Sequence, residues 1–196
     1  GVGLAAGASP QDAGRIGRAY PHLRSGGEHV SPTPAGNTGD GVALAEAAGG
    51  DAPLRFAGTS AWMPVSKAPL PGGRTGVFPH LLDRYKPGII GVLKTGRRFV
   101  NESESYHDVG AAMIEACRGE PETAMWLIAD SPTIAKYGLG YVKPSPMPRG
   151  RFLKAGYLIK GDSLADLARN AGIDPAGLEA TVRDYNLGEE HGEDRQ

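Results

Sequence analysis

The sequence is poor in several features that would each point to a class of protein. It has a single cysteine, Cys117, so it forms no internal disulfide and no cysteine-rich metal site. Such low cysteine usage is typical of proteins in the reducing cytoplasm, and we predict a cytoplasmic location. The apolar runs are shorter than the roughly 20 residues of a membrane helix, so we expect no membrane segment.

Charge and histidine spacing exclude two further kinds of site. The 21 basic and 22 acidic residues leave a net charge of −1, which gives no field to attract nucleic acid. The five histidines show no spacing typical of metal ligands, so we predict no metal site. Glycine and proline are abundant instead, at 30 and 16 residues, and this favours turns over long helices. The chain is long enough for one compact domain.

The densest group of reactive side chains lies in residues 96–108, whose sequence is GRRFVNESESYHD. The β-branched run before it, residues 87–95, predicts a strand, and Gly96 predicts a tight turn into a second strand over residues 97–100. Apolar residues at helical spacing predict a helix over residues 109–117. The polar cluster is therefore expected where a hairpin gives way to a helix.

The N-terminal part contains a second candidate site. Residues 1–7 predict a buried strand ending in a turn, and Ser9 with Pro10 predicts the start of a short helix. A glycine-rich approach then leads through Asp40 into a predicted helix over residues 42–48. Helix N-termini present unpaired amide donors, which suit phosphate or the polar edge of a cofactor. Asp40 is either the cap of this helix or an acceptor for a ribityl or ribose hydroxyl.

The C-terminal part shows patterns typical of packing. An apolar run over residues 124–129 predicts a buried strand. Ser163 predicts the start of a helix that Gly172 ends, and Pro175 predicts the start of another. We expect the charged residues 188–196 to be frayed. The side chains predicted to face the core from these two helices are Leu164, Leu167, Ala168, Leu178, Val182 and Tyr185.

Three segments together resemble the flavoprotein dehydrogenases that include fumarate reductase, succinate dehydrogenase and 3-ketosteroid dehydrogenase. They are residues 37–41, 96–108 and 172–186, in the order and rough spacing of that family. The resemblance implies FAD as cofactor. It also implies that the chain is a middle part, because family members bind FAD through an N-terminal Gly-x-Gly-x-x-Gly unit and a C-terminal segment that are both missing here.

The resemblance divides the chain into three parts. Residues 1–50 would form the edge of the FAD-binding domain. Residues 51–187 would form a substrate-capping and catalytic domain with an α+β fold of mixed sheet and helices. Residues 188–196 would be a charged tail leading to the missing C-terminal FAD-binding segment. The expected partners are a small hydrophobic substrate and the remaining FAD-binding parts of the parent chain, without which this part is expected to be inactive and not to hold FAD.

The resemblance also implies roles for single residues near the flavin. Ala6 and Gly7 match a turn beside the flavin nucleotide, where the family has Ala-Thr-Gly-Gly. Thr38, Gly39 and Asp40 match the segment that touches the flavin. These five residues are the predicted cofactor-binding set.

Tyr106 is the predicted catalytic residue. Fumarate reductases carry an arginine five residues after the asparagine of their Arg-Phe-x-Asn-Glu motif, and Tyr106 stands in that place here. It is similar to a tyrosine that takes the substrate proton in the steroid dehydrogenase branch. A phenol, with a pKa of about 10, needs help to act as a base at pH 7. Three groups could help Tyr106 to lose its proton: a helix N-terminus, an aromatic hydroxyl from the missing N-terminal part, or His107. His107 ranks second as a catalytic residue because it points away from Tyr106 if the segment is extended.

We therefore predict the middle part of an FAD-dependent dehydrogenase acting on the CH–CH group of a hydrophobic carbonyl compound such as a 3-ketosteroid. Hydride passes to the flavin while Tyr106 takes the proton. One alternative is a fumarate- or succinate-type dicarboxylate enzyme with an arginine from another part of the parent. The other is a non-catalytic domain that binds a small ligand or a partner protein, with Tyr106 in its core.

Overall fold

The structure is a computed structural model that describes residues 9–24, 28–55 and 60–191. The strand predicted over residues 1–7 lies outside this range. Within the described residues the chain forms helices and short antiparallel strands, as expected for an α+β fold.

The chain divides into two compact units. The first consists of Gly1–Ala61 and Cys117–Thr123, and the second of Trp62–Ala116 and Ala124–Gln196. The roles that the family resemblance assigns along the chain stay predictions.

The described residues of the first unit contain three short helices, α1 (Ala13–Ala19), α2 (Pro21–Arg24) and α3 (Asp40–Ala47). The prediction that Ser9 and Pro10 open α1 is wrong. They lie in a turn before the helix, and the side chain of Asp12 caps α1 by accepting a hydrogen bond from the Arg15 N–H at 2.9 Å.

α3 begins two residues earlier than predicted, so Asp40 is its first residue and not its cap. The N-cap is Gly39, which has a φ of +89° and makes no side-chain cap hydrogen bond. A Cβ on Gly39 would lie 2.7 Å from Cβ of Ser9, so glycine is required here by both backbone conformation and space.

The second unit begins with a hairpin that the sequence did not predict. β1 (Val65–Leu70) pairs antiparallel with β2 (Arg74–Pro79). The turn between them contains Gly72 and Gly73, both with positive φ. The two strands escaped prediction because their apolar and polar residues alternate poorly.

The predicted hairpin of residues 87–100 is wrong. β3 (Ile89–Val92) pairs antiparallel with β4 (Trp126–Ala129), which confirms both apolar strands but not the pairing. After the turn, only a hydrogen bond from the Leu93 N–H to the Arg97 carbonyl, at 3.0 Å, links the two sides in the described structure. All four residues of β3 are buried, and the apolar β4 covers its edge better than the charged residues 97–100 would.

Five helices complete the second unit: α4 (Tyr106–Ala116), α5 (Ser131–Tyr137), α6 (Gly150–Lys154), α7 (Leu164–Ala171) and α8 (Pro175–His191). The predicted start of α7 at Ser163 and its end at Gly172 are confirmed. The predicted fraying from residue 188 is wrong as far as residue 191, because glutamates favour helix and α8 continues through them.

The main core of the second unit forms where β3 and β4 pack against α7 and α8. Its buried members are Ile90, Val92, Ile128, Ala168, Ile173 and Leu178. Leu164, Leu167, Val182 and Tyr185 pack against this cluster, as their helical spacing predicted. The core therefore holds β3 rigidly at the point where the reactive residues 96–108 begin.

Candidate functional site

The candidate site begins where β3 leaves the core. Gly96 closes a tight turn, donating its N–H to the Leu93 carbonyl at 2.8 Å with a φ of +73°. A Cβ on Gly96 would overlap the backbone of Gly177 and Leu178 at the start of α8. This contact fixes the beginning of residues 96–108 against α8.

A buried ion pair holds the next part of the loop. The Arg98 Nε donates to Oε1 of Glu102 at 3.0 Å, and its Nη2 donates to Oε2 at 2.5 Å. Only 5% and 7% of these side chains are exposed. Glu102 Oε1 also accepts the N–H of Gly91 in β3 at 2.6 Å. These charge-assisted hydrogen bonds tie the loop to β3.

The loop then turns sharply into α4. The Asn101 side-chain carbonyl accepts the Ser103 N–H at 2.9 Å, and its backbone carbonyl accepts the Glu104 N–H at 3.1 Å. The Ser105 hydroxyl accepts the Asp108 N–H at 3.2 Å and donates to the Asp108 carboxylate at 2.7 Å. The Ser105 side chain therefore acts as an N-cap, which fixes the first turn of the helix.

Tyr106 is the first residue of α4, and 39% of it is exposed. The reading of Tyr106 as a core tyrosine is therefore wrong. His107 is half-buried and lies about 100° further around the helix. The segment is helical and not extended, so the alternation that would point His107 to the opposite side does not apply.

α4 lies close against the residues that precede β1. A Cβ on Gly110 would come within 2.7 Å of Trp62 Cβ and 3.3 Å of Met63 N. Gly110 follows Tyr106 by one helical turn, so both lie on the same face of α4. Tyr106 thus stands at the exposed end of the face by which the helix packs.

Arg84 is a site residue that the sequence gave no signal for. It is 1% exposed, and its guanidinium donates to the carbonyls of Leu81 and Glu104. Burial lowers the pKa of Arg84, although neighbouring Tyr85 and the acidic side chains nearby act to raise it. Arg84 thereby connects the segment after β2 to the turn before Tyr106.

A series of hydrogen bonds around His80 and Asp83 holds the segment after β2 in place. His80 Nδ1 contacts the Asp83 carboxylate at 3.0 Å, and its Nε2 contacts the Ser66 hydroxyl at 2.7 Å. Ser66 contacts the Tyr157 hydroxyl at 2.7 Å. Asp83 also accepts the Gly140 N–H at 2.8 Å. Burial alone would raise the pKa of Asp83, but the hydrogen bonds and the charge of His80 together lower it.

The predicted flavin-facing residues fall into the first unit. Thr38 and Asp40 are exposed, Gly39 is buried, and the Thr38 hydroxyl donates to Asp40 Oδ1 at 2.9 Å. Ala6 and Gly7 lie outside the described residues. The structure therefore brings Thr38, Gly39 and Asp40 together at the start of α3.

An open pocket of about 450 Å³ adjoins α1 and α3 in the first unit. Its lining includes Ser9, Arg15, Tyr20 and Val42, a mostly apolar surface with a cationic edge. In residues 9–24, 28–55 and 60–191, no three His, Cys, Asp or Glu side chains are grouped to bind a metal ion. The helices of this same part of the chain lack the combined length and hydrophobicity needed to cross a bilayer.

Several characterised dehydrogenases are similar to this chain. A 4-oxocyclohex-2-ene-1-carboxylate 5-dehydrogenase of Sinomonas cyclohexanicum is 44% identical over 194 residues, which cover 99% of the chain and 33% of that protein. A 3-oxosteroid 1-dehydrogenase of Mycobacterium tuberculosis is 32% identical over 155 residues, which cover 76% of the chain and 26% of that protein. The chain thus spans about a quarter to a third of the length of these relatives.

A solved structure and a family model agree with these similarities. The crystal structure of a 3-ketosteroid delta1-dehydrogenase from Sterolibacterium denitrificans, in complex with 1,4-androstadiene-3,17-dione, matches with a TM-score of 0.76 and 27% identity. The match covers 98% of this chain and 34% of that one. The model of the FAD binding domain family matches residues 2–196. This chain belongs to the FAD binding domain family.

Proposed function

We propose that this chain is the middle part of an FAD-dependent dehydrogenase that introduces a carbon–carbon double bond next to a ring carbonyl. The observation that carries the proposal is the placement of Tyr106. It is exposed at the first residue of α4, on a turn held by the Arg98–Glu102 pair and by the Ser105 cap. Relatives named as dehydrogenases of 3-oxosteroids and of an oxocyclohexene carboxylate support a carbonyl-bearing ring as substrate.

The reaction removes a proton and a hydride from neighbouring carbons of the substrate. The carbonyl acidifies the proton on its α carbon, and we assign Tyr106 to take that proton. Bound FAD supplies the acceptor for the hydride from the β carbon, so two electrons leave the substrate as its double bond forms. The chain's own task is therefore to hold a phenol oxygen at the α carbon and to favour its phenolate form.

The start of α4 suits this task. Long side chains of helical residues lean toward the N-terminus, where the backbone amides present a partial positive charge. Asp108 carries negative charge in the same turn, but its carboxylate accepts a hydrogen bond from Ser105 at 2.7 Å. We therefore assign the stabilisation of the phenolate to the helix N-terminus, and we keep His107 as the second candidate because it is the next residue along the helix.

Thr38, Gly39 and Asp40 fit the polar edge of a flavin. α3 makes no side-chain cap hydrogen bond, so its first amides remain available as donors. The exposed Thr38 and Asp40 flank the buried Gly39, where any Cβ would meet Ser9. We propose that these three residues contact the cofactor, and that Ala6 and Gly7 do so by resemblance alone.

The substrate class is a cyclic ketone. Among the relatives above, the one named for an oxocyclohexene carboxylate matches 99% of the chain, and the one named for a 3-oxosteroid matches 76%. We propose that residues 51–187 form the domain that covers this ring, and that residues 188–196 lead to the C-terminal FAD-binding segment.

The test is the visible spectrum of the complete flavoprotein, recorded without oxygen before and after each substrate. We expect 4-oxocyclohex-2-ene-1-carboxylate or a 3-ketosteroid to bleach the flavin, and succinate to leave it oxidised. Bleaching by succinate alone would refute the proposed substrate class. Absence of flavin from the purified protein would refute the proposed function altogether.

Tyr106→Phe tests the role of the phenol in the same protein. Because losing a positioned base costs about 10²-fold or more, we expect turnover to fall by that factor while flavin stays bound. Tyr137→Phe on α5 is the matched control and should keep its turnover. Equal turnover of the Tyr106→Phe variant and the unchanged enzyme would remove Tyr106 from the mechanism.

A further inference from the structure

Arg84 is the largest fully buried side chain among the described residues. Its guanidinium donates to two backbone carbonyls, those of Leu81 and Glu104, and it forms no ion pair with a carboxylate in the part of the chain that the structure describes. Its Nε has no hydrogen-bond partner there. The ring of Tyr85 lies 5.4 Å from the guanidinium carbon.

A cation buried in this way is costly, because burial removes its hydration and, within the described residues, no carboxylate forms an ion pair with it. An apolar side chain of similar size would fill the same space at no such cost. It would not bind two carbonyls, whereas the planar guanidinium holds two acceptors in a set relative geometry. The arrangement therefore points to a task that depends on this geometry.

One of the two carbonyls belongs to the turn that presents Tyr106. Glu104 stands two residues before Tyr106, between the Asn101 turn and the Ser105 cap. The hydrogen bond from Arg84 therefore fixes the backbone from which α4 begins. The Ser105 cap fixes the first turn of the helix, and Arg84 fixes the backbone before that turn relative to the segment after β2.

The segment on the opposite side of Arg84 is itself held in place. His80 and Asp83 join it to Ser66 in β1, and Asp83 joins it to the Gly140 N–H. Residues 80–84 thus form a support that is attached to the β1–β2 hairpin and to the loop around Gly140. The hydrogen bond from Arg84 to the Glu104 carbonyl connects these residues to the start of α4.

We propose that Arg84 is a positioning residue that holds the Tyr106 phenol at the reacting carbon through the Glu104 carbonyl. This inference rests on the proposed function of Tyr106. Proton transfer depends steeply on distance, and a shift of about 1 Å far from the chemistry can cost about 10²-fold in rate. Loss of Arg84 therefore lowers kcat, leaves KM nearly unchanged, and makes proton removal more rate-limiting.

The experiment uses the complete flavoprotein with Arg84→Met and Arg84→Lys. Methionine keeps much of the volume without donors, and lysine keeps the charge but lacks the planar fork. The readouts are kcat, KM and the deuterium isotope effect at the carbon that loses the proton. We expect kcat to fall by about 10-fold or more in Arg84→Met, with an increased isotope effect and partial recovery in Arg84→Lys.

Two controls separate positioning from loss of stability. Ile173→Val removes a methylene from the main core, away from the turn before Tyr106, and should lower the melting temperature without raising the isotope effect. Tyr106→Phe, measured in parallel, tests the proposed function itself. If Tyr106→Phe keeps its turnover, the proposed function fails, and this inference fails with it.

If Tyr106→Phe loses turnover but both Arg84 variants have the same kcat and isotope effect as the unsubstituted enzyme, only the role of Arg84 is overturned. A lower kcat with an unchanged isotope effect would likewise overturn it and leave Arg84 as a structural residue. Where Arg84→Met yields no folded protein, Arg84→Lys decides by the same readouts.

Discussion

Glu102→Gln removes the negative charge on which the geometry of the loop before α4 depends. Glu102 is 6% exposed and accepts three hydrogen bonds, from the Gly91 N–H and from two nitrogens of Arg98. The glutamine keeps an acceptor for Gly91, but its amide group turns a donor toward the Arg98 donors. The variant therefore removes the carboxylate that forms the buried ion pair with Arg98.

The expected loss in the free energy of unfolding is about 3 kcal/mol. Breaking a buried ion pair by removing one partner costs about 3–5 kcal/mol. The lower end applies here because the Gly91 hydrogen bond survives and the Arg98 guanidinium still lies 5.4 Å from the Tyr185 ring. With a urea dependence of about 2 kcal/mol per M, the midpoint of unfolding should fall by about 1.5 M.

The assay is urea denaturation of this chain, followed by circular dichroism. Asp162→Asn is the matched control, because Asp162 pairs with Lys160 at the surface with 86% of its side chain exposed. Such pairs contribute about 0–1 kcal/mol, so the control should barely move the midpoint. If the two side chains stabilise the fold as a pair, the double variant Arg98→Met/Glu102→Gln should lose less than the sum of the two single variants. A Glu102→Gln midpoint no lower than that of the control would refute this account of the ion pair.

Two further substitutions test single features of the second unit. Gly96→Ala should lower the free energy of unfolding by more than about 2 kcal/mol, because its Cβ would lie 2.7 Å from the Gly177 carbonyl carbon at a positive φ. Gly72→Ala shares the positive φ but has nothing within 4 Å, so urea denaturation should show a smaller loss; equal losses would contradict the proposed contact. For Asp83, the folded pKa lies below the unfolded value, so its ionised form stabilises the fold above about pH 4 and this contribution is lost as pH falls through the folded pKa. Asp83→Asn should therefore be less stable than the unchanged chain at pH 7 and nearly equal to it near pH 2, and a pH-independent difference would contradict the assignment.

The elements that sequence patterns predicted are those whose signals are local. Ser163 and Gly172 cap α7 because capping depends on residues within one turn of the helix end. The apolar runs of β3 and β4 were recognised for a similar reason. The pairing of these two strands was not predicted, because Ile89 and Ala129 are far apart in the sequence and no local pattern indicates their contact.

The same distinction applies to the candidate site. Tyr106 was predicted from a motif and from the helix that follows it, and both are contiguous in the sequence. Arg84 was missed because its hydrogen bond is to the Glu104 carbonyl, 20 residues away in the sequence. The hydrogen bond between Ser66 and Tyr157 spans 91 residues, and nothing in either neighbourhood of the sequence indicates the other.

The hydrogen bonds around His80 have a consequence for the orientation of protons. An ionised Asp83 can only accept, so the neutral ring donates from Nδ1 and must accept at Nε2. Ser66 then donates to the ring and accepts from Tyr157, whose oxygen accepts the Tyr141 N–H at 3.2 Å. Every donor in this series of hydrogen bonds points in one direction, from the Tyr141 N–H toward the Asp83 carboxylate. The direction depends on Nε2 being an acceptor, because a donor at that atom would oblige the Ser66 hydroxyl to turn its hydrogen away from the ring.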